Sequence, residues 1–223
     1  MARKTREEAL ATREGILDAA LSCFHENGVS GTSLAAIGER AGYSRGAVYW
    51  HFKNKTEVLE AMIRREHIPF LERLRRTASP RRTTPILDLR SAMRVSISEV
   101  AATRKLRQMM EIMLRNDLSA ESEAMRRLLH ASTAEELAIF RSTFARAREL
   151  GQLREGVDPA VPARILHACT MGAMCSGLME PEHFSLEGDS HEAIDAMLGW
   201  YVKPGVFTPG APSSPLPDED GAD

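Results

Sequence analysis

The chain has 223 residues, 43% of them apolar and 27% charged, with a net charge of −2, a balance that excludes disorder over most of its length. That length allows one or two domains with a substantial core. The charge is uneven: residues 1–82 carry 15 Lys/Arg against 10 Asp/Glu and the remainder 14 against 21, so only the N-terminal end suits a polyanionic partner.

Helical periodicity dominates, with no convincing run of alternating strand residues. The opening Met-Ala-Arg-Lys-Thr-Arg has no apolar stretch behind it and does not read as a secretory signal. Leu17, Ala20, Leu21 and Phe24 mark one face of a first helix over residues 8–26, which Asn27-Gly28 stops with a left-handed residue. Thr32 is placed to cap a short second helix over 33–41 that ends at Gly42. Ser44 caps a third, very short helix through His51. Asn54, with Glu57 three residues on, forms a capping-box pattern that opens a fourth helix to about residue 76, kinked near 65–67 by Pro69.

Residues 77–85 form a loop by composition, and the charge balance changes sign there, which places a domain boundary around 53–85 with the fourth helix belonging to both halves. Beyond it, Ile86, Leu89, Met93, Ile97 and Val100 mark a fifth helix. Leu106, Met109, Met110, Met113 and Leu114 mark a sixth, and Met125, Leu129, Leu137, Phe140, Phe144 and Ala147 a long seventh, stopped by Gly151. An eighth helix follows Asp158-Pro159 and is apolar nearly all round through Met179. Its longest uncharged run, 165–179, has 15 residues, short of the roughly 18 a membrane span needs. A ninth helix covers about 191–202, and the tail from 203, with five prolines and four acids, reads as disordered or loosely draped. The three cysteines (Cys23, Cys169, Cys175) form no CxxC pair and point to free thiols in a reducing cytoplasm.

The functional window is Thr32 to Lys55. Two short helices joined by a tight Gly42 turn form a helix-turn-helix pattern, with Ile37 and Val48 facing inward. Arg45 stands in the first turn of the second short helix, where a side chain reaches base edges. Gly46 and Ala47 remove bulk, so the backbone can approach a duplex. Tyr49 and His51 offer a phenol and an imidazole to phosphate oxygens, whereas Trp50 and Phe52 are expected mainly in the core. Lys55 lies at the start of the fourth helix, where free N–H groups make a phosphate seat. The DNA-binding candidates are Thr32, Ser33, Tyr43, Ser44, Arg45, Gly46, Tyr49, Trp50, His51 and Lys55.

Arg13, Ile16-Leu17, Ala19-Ala20, Phe24, Gly28, Thr32-Ser33, Ile37, Ala41-Gly42, Ser44-Arg45-Gly46, Tyr49-Trp50-His51-Phe52 and Lys55 together resemble the signature of the TetR family of transcriptional regulators. The chain is most similar to the AcrR/TtgR-like subgroup, repressors of multidrug efflux pumps. That likeness reaches the C-terminal half at residues 67–70, 110–115, 150–156 and 201–203. The resemblance implies an all-α, nine-helix homodimer whose heads enter successive major grooves of operator DNA. It divides the chain into a DNA-binding domain (1–55), an effector-binding and dimerisation domain (56–203) and a flexible tail (204–223), with the fourth helix linking the first two.

The same resemblance places a subunit interface on the last two long helices. The eighth is apolar on every side and must be covered on both faces; Leu166, Cys169, Ala173, Met174, Ile194, Leu198 and Tyr201 are the interface candidates. An effector pocket is implied among helices four to eight, where methionine is concentrated: Met93, Met109, Met110, Met113, Met125, Met171 and Met174 are seven of the eleven in the chain. Flexible thioethers repack around ligands of different shape, although a Met stripe at helical spacing is more often plain core. The effector-binding candidates are His67, Phe70, Met93, Ser96, Ile97, Met113, Asn116, Asp117, Phe140, Met171 and Cys175, and the ligand a small hydrophobic or drug-like molecule. No catalytic motif, metal-spaced Cys/His set or cofactor loop occurs, so neither an enzyme nor a cofactor is expected. The competing reading keeps DNA binding but has the protein answer a metabolite or act as an activator.

Overall fold

The computed structural model describes residues 6–115 and 120–210. Among these the chain is all-helical: α1 (Arg6–Gly31), α2 (Leu34–Ala41), α3 (Arg45–His51), α4 (Lys55–Thr77), α5 (Pro85–Ala102), α6 (Arg104–Leu114), α7 (Ala120–Glu149), α8 (Ala160–Met179) and α9 (Gly188–Tyr201). Two compact units emerge, one from residues up to Ile68 plus Arg104–Ala131, the other from Pro69–Thr103 plus the chain from Ser132. Helices α4 and α7 each contribute to both. The first unit also takes in α6, which packs on α1. His25 of α1 meets Glu111 of α6 at 2.6 Å, and Lys105 reaches Asp18 at 2.7 Å.

In the first unit α1 buries Ile16, Leu17, Ala20, Leu21 and Phe24 against Ile37, Val48, Phe52, Val58, Met62, Met109 and Ile112. Gly28 ends the regular part of α1 as expected. Its backbone (φ 73°, ψ 164°) is nevertheless outside the left-handed helical region, in a conformation open essentially to glycine alone. Ser33, not Thr32, caps α2: its side chain accepts from the Ala36 N–H. Gly42 closes α2 in the left-handed conformation, with its N–H on the Glu39 carbonyl. Ser44 caps α3 as expected, accepting from the Ala47 N–H. The Asn54 carboxamide accepts from the Glu57 N–H at 2.9 Å, and the Glu57 carboxylate accepts from the Lys53 N–H at 2.8 Å.

In the second unit α5 is buried on nearly all sides, and α9 packs against both α8 and α5. Arg90 of α5 donates to Asp195 of α9 at 2.6 and 2.8 Å, both side chains almost wholly buried. Arg94 adds a longer contact at 3.4 Å, and the Gly210 N–H donates to the same carboxylate at 2.8 Å. Burial by itself would raise the Asp195 pKa. The hydrogen bonds of Arg90 and Gly210, with the charges of Arg90 and Arg94, outweigh it and hold the carboxyl below its ordinary value. The chain just past α9 is pinned as well: the Lys203 N–H donates to the Gln152 carbonyl, and Arg90 lies over the Phe207 ring. Residues 203–210 are therefore strapped to the unit and not loosely draped; the rest of the tail lies outside the described residues.

Candidate nucleic-acid interface

Two features hold α3 in place. Val48 is fully buried among α1 and α2, and Gly38 of α2 lets the two short helices close on each other. A Cβ at Gly38 would lie 2.9 Å from Val48 Cγ2 and 3.2 Å from the Tyr43 carbonyl oxygen. Gly38 is a positioning residue that the sequence reading passed over; a lone glycine inside a helical pattern was its only signal. Tyr43 packs back on α1, its hydroxyl 3.1 Å from where a Cβ on Gly15 would stand.

With Val48 inward, the opposite side of α3 is bare. Arg45, Gly46, Tyr49 and Trp50 are all exposed, at positions i, i+1, i+4 and i+5 on one helical face. The Arg45 guanidinium lies 5.3 Å from the Tyr49 ring centroid, a cation–π arrangement that limits the wandering of both side chains. Trp50 is 73% exposed, contrary to its expected place in the core, whereas Phe52 is buried as expected. The indole meets the half-buried His51 ring edge-on at 4.5 Å. Ser33 and Ser44 are exposed at the N-caps of α2 and α3.

Two of the expected DNA contacts are engaged within the chain. Thr32 is buried and its hydroxyl lies 2.8 Å from the Gly28 carbonyl and 3.1 Å from that of Cys23, tying the end of α1 together. The Lys55 ammonium donates to the carbonyls of Val29, Ser30 and Thr32 at 2.9, 3.0 and 3.2 Å. An ammonium has three hydrogens, so these bonds use its whole donor capacity on the C-terminal end of α1.

The effector candidates fall into several environments. Met93, Ser96, Ile97 and Phe140 are buried in the second unit, where the Ser96 hydroxyl receives Arg73 Nη1 at 2.7 Å. Phe70 is half-buried there, and His67 is half-buried in the first unit. Met113 is packed against the first unit's core. Asn116 and Asp117 lie outside the described residues. Met171 is exposed on α8, and Cys175 has its sulfur 3.5 Å from that of Met179. The interface candidates Leu166, Ala173, Met174, Ile194 and Leu198 are instead buried within the single chain; Cys169 and Tyr201 are half-buried. Ile165, Ala168, Met171, Gly172 and Met179 of α8 face outward, as does Trp200 of α9 at 76% exposure. No helix among the described residues is long and apolar enough to cross a membrane.

A three-helix head with a capped, outward-facing recognition helix defines a helix-turn-helix DNA-binding regulator. The pattern of the family described as bacterial regulatory proteins, tetR family, matches residues 16–62, and that of the BetI-type transcriptional repressor C-terminal domain matches 88–199. The chain belongs to the TetR family, whose members act on operator DNA and are not enzymes. It is 29% identical over 199 residues to the regulator TtgR of Pseudomonas putida, covering 89% of this chain and 95% of that one. The structure of SmeT, repressor of the Stenotrophomonas maltophilia multidrug efflux pump SmeDEF, matches with 49% identity and a TM-score of 0.86 over 94% of this chain and 99% of that one. A SmeT–triclosan complex matches with 50% identity and a TM-score of 0.90 over 93% of this chain and the whole of the other.

Proposed function

We propose that the protein is a ligand-released repressor of a multidrug efflux operon, working as a homodimer in the cytoplasm. The observation that carries DNA contact by α3 is its bare face. A Cβ on Gly46 would meet nothing within 4 Å among the described residues, so packing does not call for glycine there, yet glycine costs a helix about 1 kcal/mol relative to alanine. Close approach of a duplex accounts for it. Arg45 then reads base edges, while Tyr49, Trp50, His51 and the exposed caps Ser33 and Ser44 contact the backbone.

Two such heads on half-sites one helical turn, about 34 Å, apart need a two-fold assembly. The outward apolar stripe of α8 and the exposed Trp200 supply a surface for it. Buried methionine, aliphatic and aromatic side chains of α5 and α7, with Ser96 as a polar anchor, suit a small apolar effector, and triclosan is the probe suggested by the SmeT complex. The effector binds the non-operator arrangement more tightly and so depletes the DNA-competent one. A coupling of about 1–3 kcal/mol gives a roughly 5–150-fold loss of DNA affinity.

The test is a mobility-shift titration of DNA from the protein's own upstream region at fixed salt, with and without triclosan. Nanomolar binding that weakens at least 5-fold with triclosan is the expected result on these couplings. Absence of binding at low ionic strength overturns the repressor reading; tight binding indifferent to triclosan and to a panel of apolar drugs overturns the effector class.

A further inference from the structure

The corner between α3 and α4 gathers more positive charge than the chain itself uses. Lys55, the cation expected to meet a phosphate there, donates instead to the Val29, Ser30 and Thr32 carbonyls. Two other cations flank the same corner. Phe52 ends α3 with its ring buried and its N–H on the Val48 carbonyl at 2.9 Å. The next N–H, that of Lys53, donates to the Glu57 carboxylate at 2.8 Å, and the Asn54 carboxamide accepts from the Glu57 N–H. The Lys53 backbone is thus held between two fixed neighbours. Its side chain is exposed, and its ammonium has no partner among the described residues. Arg13 comes to this corner from α1. Its guanidinium lies 5.3 Å from the Phe52 ring centroid, a cation–π contact that steadies the long side chain against the end of α3. Glu14 approaches Arg13 only to 3.4 Å, and the same carboxylate receives Arg65 at 3.0 Å. One exposed carboxylate shared by two guanidiniums does not neutralise both, and the Arg13 side chain keeps 37% of its surface in solvent.

Arg13 and Lys53 therefore stand on either side of one buried ring, at the end of the helix whose Arg45, Tyr49 and Trp50 face outward. Like charges gathered at one corner repel in the free protein, and a nearby polyanion turns that cost into attraction. We propose that Arg13 and Lys53 are backbone anchors of the operator complex, each neutralising one phosphate beside the groove that α3 enters. Arg13 does so through its forked N–H groups, and Lys53 as a point charge on a flexible stem. Such contacts set the register of the head on the duplex and carry no sequence information of their own. This rests on the reading above that α3 contacts DNA, and it moves the phosphate grip expected of Lys55 to Lys53 and Arg13.

The test is the salt dependence of DNA affinity for the full protein, by fluorescence anisotropy on labelled DNA from its own upstream region. Arg13→Gln and Lys53→Gln each lower the slope of log affinity against log salt by about 0.9, and the double variant by about 1.8. The loss is equal on upstream and on scrambled DNA, because phosphates are the same in both. Arg13→Lys and Lys53→Arg keep the charge and the wild-type slope, so a fall confined to the glutamine variants is loss of a contact and not of the fold. Arg148, exposed on α7 in the second unit, is the control: Arg148→Gln leaves the slope unchanged. An unchanged slope in either glutamine variant overturns the assignment of that residue. An equal fall with Arg148→Gln reveals a diffuse charge effect and overturns both. Failure of the anchors alone leaves the α3 reading standing; wild-type protein that does not bind, or Arg45→Ala with its sequence preference intact, overturns that reading and the anchors with it.

Discussion

The ammonium of Lys55, at the first residue of α4, lies 2.9 Å from the carbonyl oxygen of Val29 in the last turn of α1. It also holds the carbonyls of Ser30 and Thr32, so one side chain caps α1 and ties it to the start of the linking helix. Lys55→Met should cost about 1.5–3 kcal/mol, the range for hydrogen bonds involving a charged group. The salt dependence of operator binding should keep its slope, because no phosphate contact is lost; removing one would lower the slope by about 1. Chemical denaturation and a salt titration of DNA affinity check the two halves.

Gly38 and Gly46 differ in what surrounds them, and alanine should separate them. At Gly46 the new methyl enters open space, so Gly46→Ala should stabilise the free protein by up to about 1 kcal/mol while weakening operator binding. At Gly38 the methyl meets Val48 and the Tyr43 backbone, and overpacking of this kind costs about 1–3 kcal/mol. Gly38→Ala should lower both stability and DNA affinity. Thermal melts with fluorescence anisotropy on labelled operator read both quantities.

Arg45→Ala should relax sequence choice by about 1–3 kcal/mol at the base it contacts. The cation–π contact with Tyr49 makes a further outcome measurable. Tyr49→Leu should weaken binding even to sites mutated at the Arg45 base, because the phenol's own phosphate contact is lost with it. Competition against a library of single-base operator variants distinguishes the two.

Asp195 and His191 give the second unit a two-step acid profile. Burial, reinforced by the Arg94 charge, lowers the His191 pKa against the opposing pull of its hydrogen bond to the Arg94 carbonyl and the nearby acids. The unfolded chain then takes up this proton first, so stability present above the unfolded value of about 6.5 is lost as pH falls toward the folded one. Asp195, depressed in the fold, contributes stability present above about pH 3.9, lost as pH falls through its folded pKa. Asp195→Asn should remove the lower step and cost about 3–5 kcal/mol at neutral pH, because Arg90 stays buried without its counter-charge. Urea titrations between pH 3 and 8 give the profile, taking the stated unfolded-state values as the guide.

Where a local residue type dictates a local conformation, the chain could be read directly. Gly28 and Gly42 stop their helices because they adopt positive φ, and Ser44 caps α3 because its hydroxyl competes for an N–H that the helix leaves free. The outward face of Arg45, Gly46 and Tyr49 was legible for the same reason, since a seven-residue helix with Val48 inward leaves few other faces; Trp50, expected in the core, is exposed beside them.

Long-range choices were not legible. Because α8 is apolar all round, its composition carries no phase, and only packing against α9 turned Leu166, Ala173 and Met174 inward and Ile165, Met171 and Met179 outward. Lys55 reads as a free cation beside a helix N-terminus until the chain folds and places three orphan carbonyls within its reach. Arg90 and Asp195 stand 105 residues apart and are separately unremarkable in sequence; burial on two packed helices brings them together as an ion pair. Short-range backbone chemistry decided where the helices begin and end, and tertiary packing decided which of their faces are buried and which meet solvent.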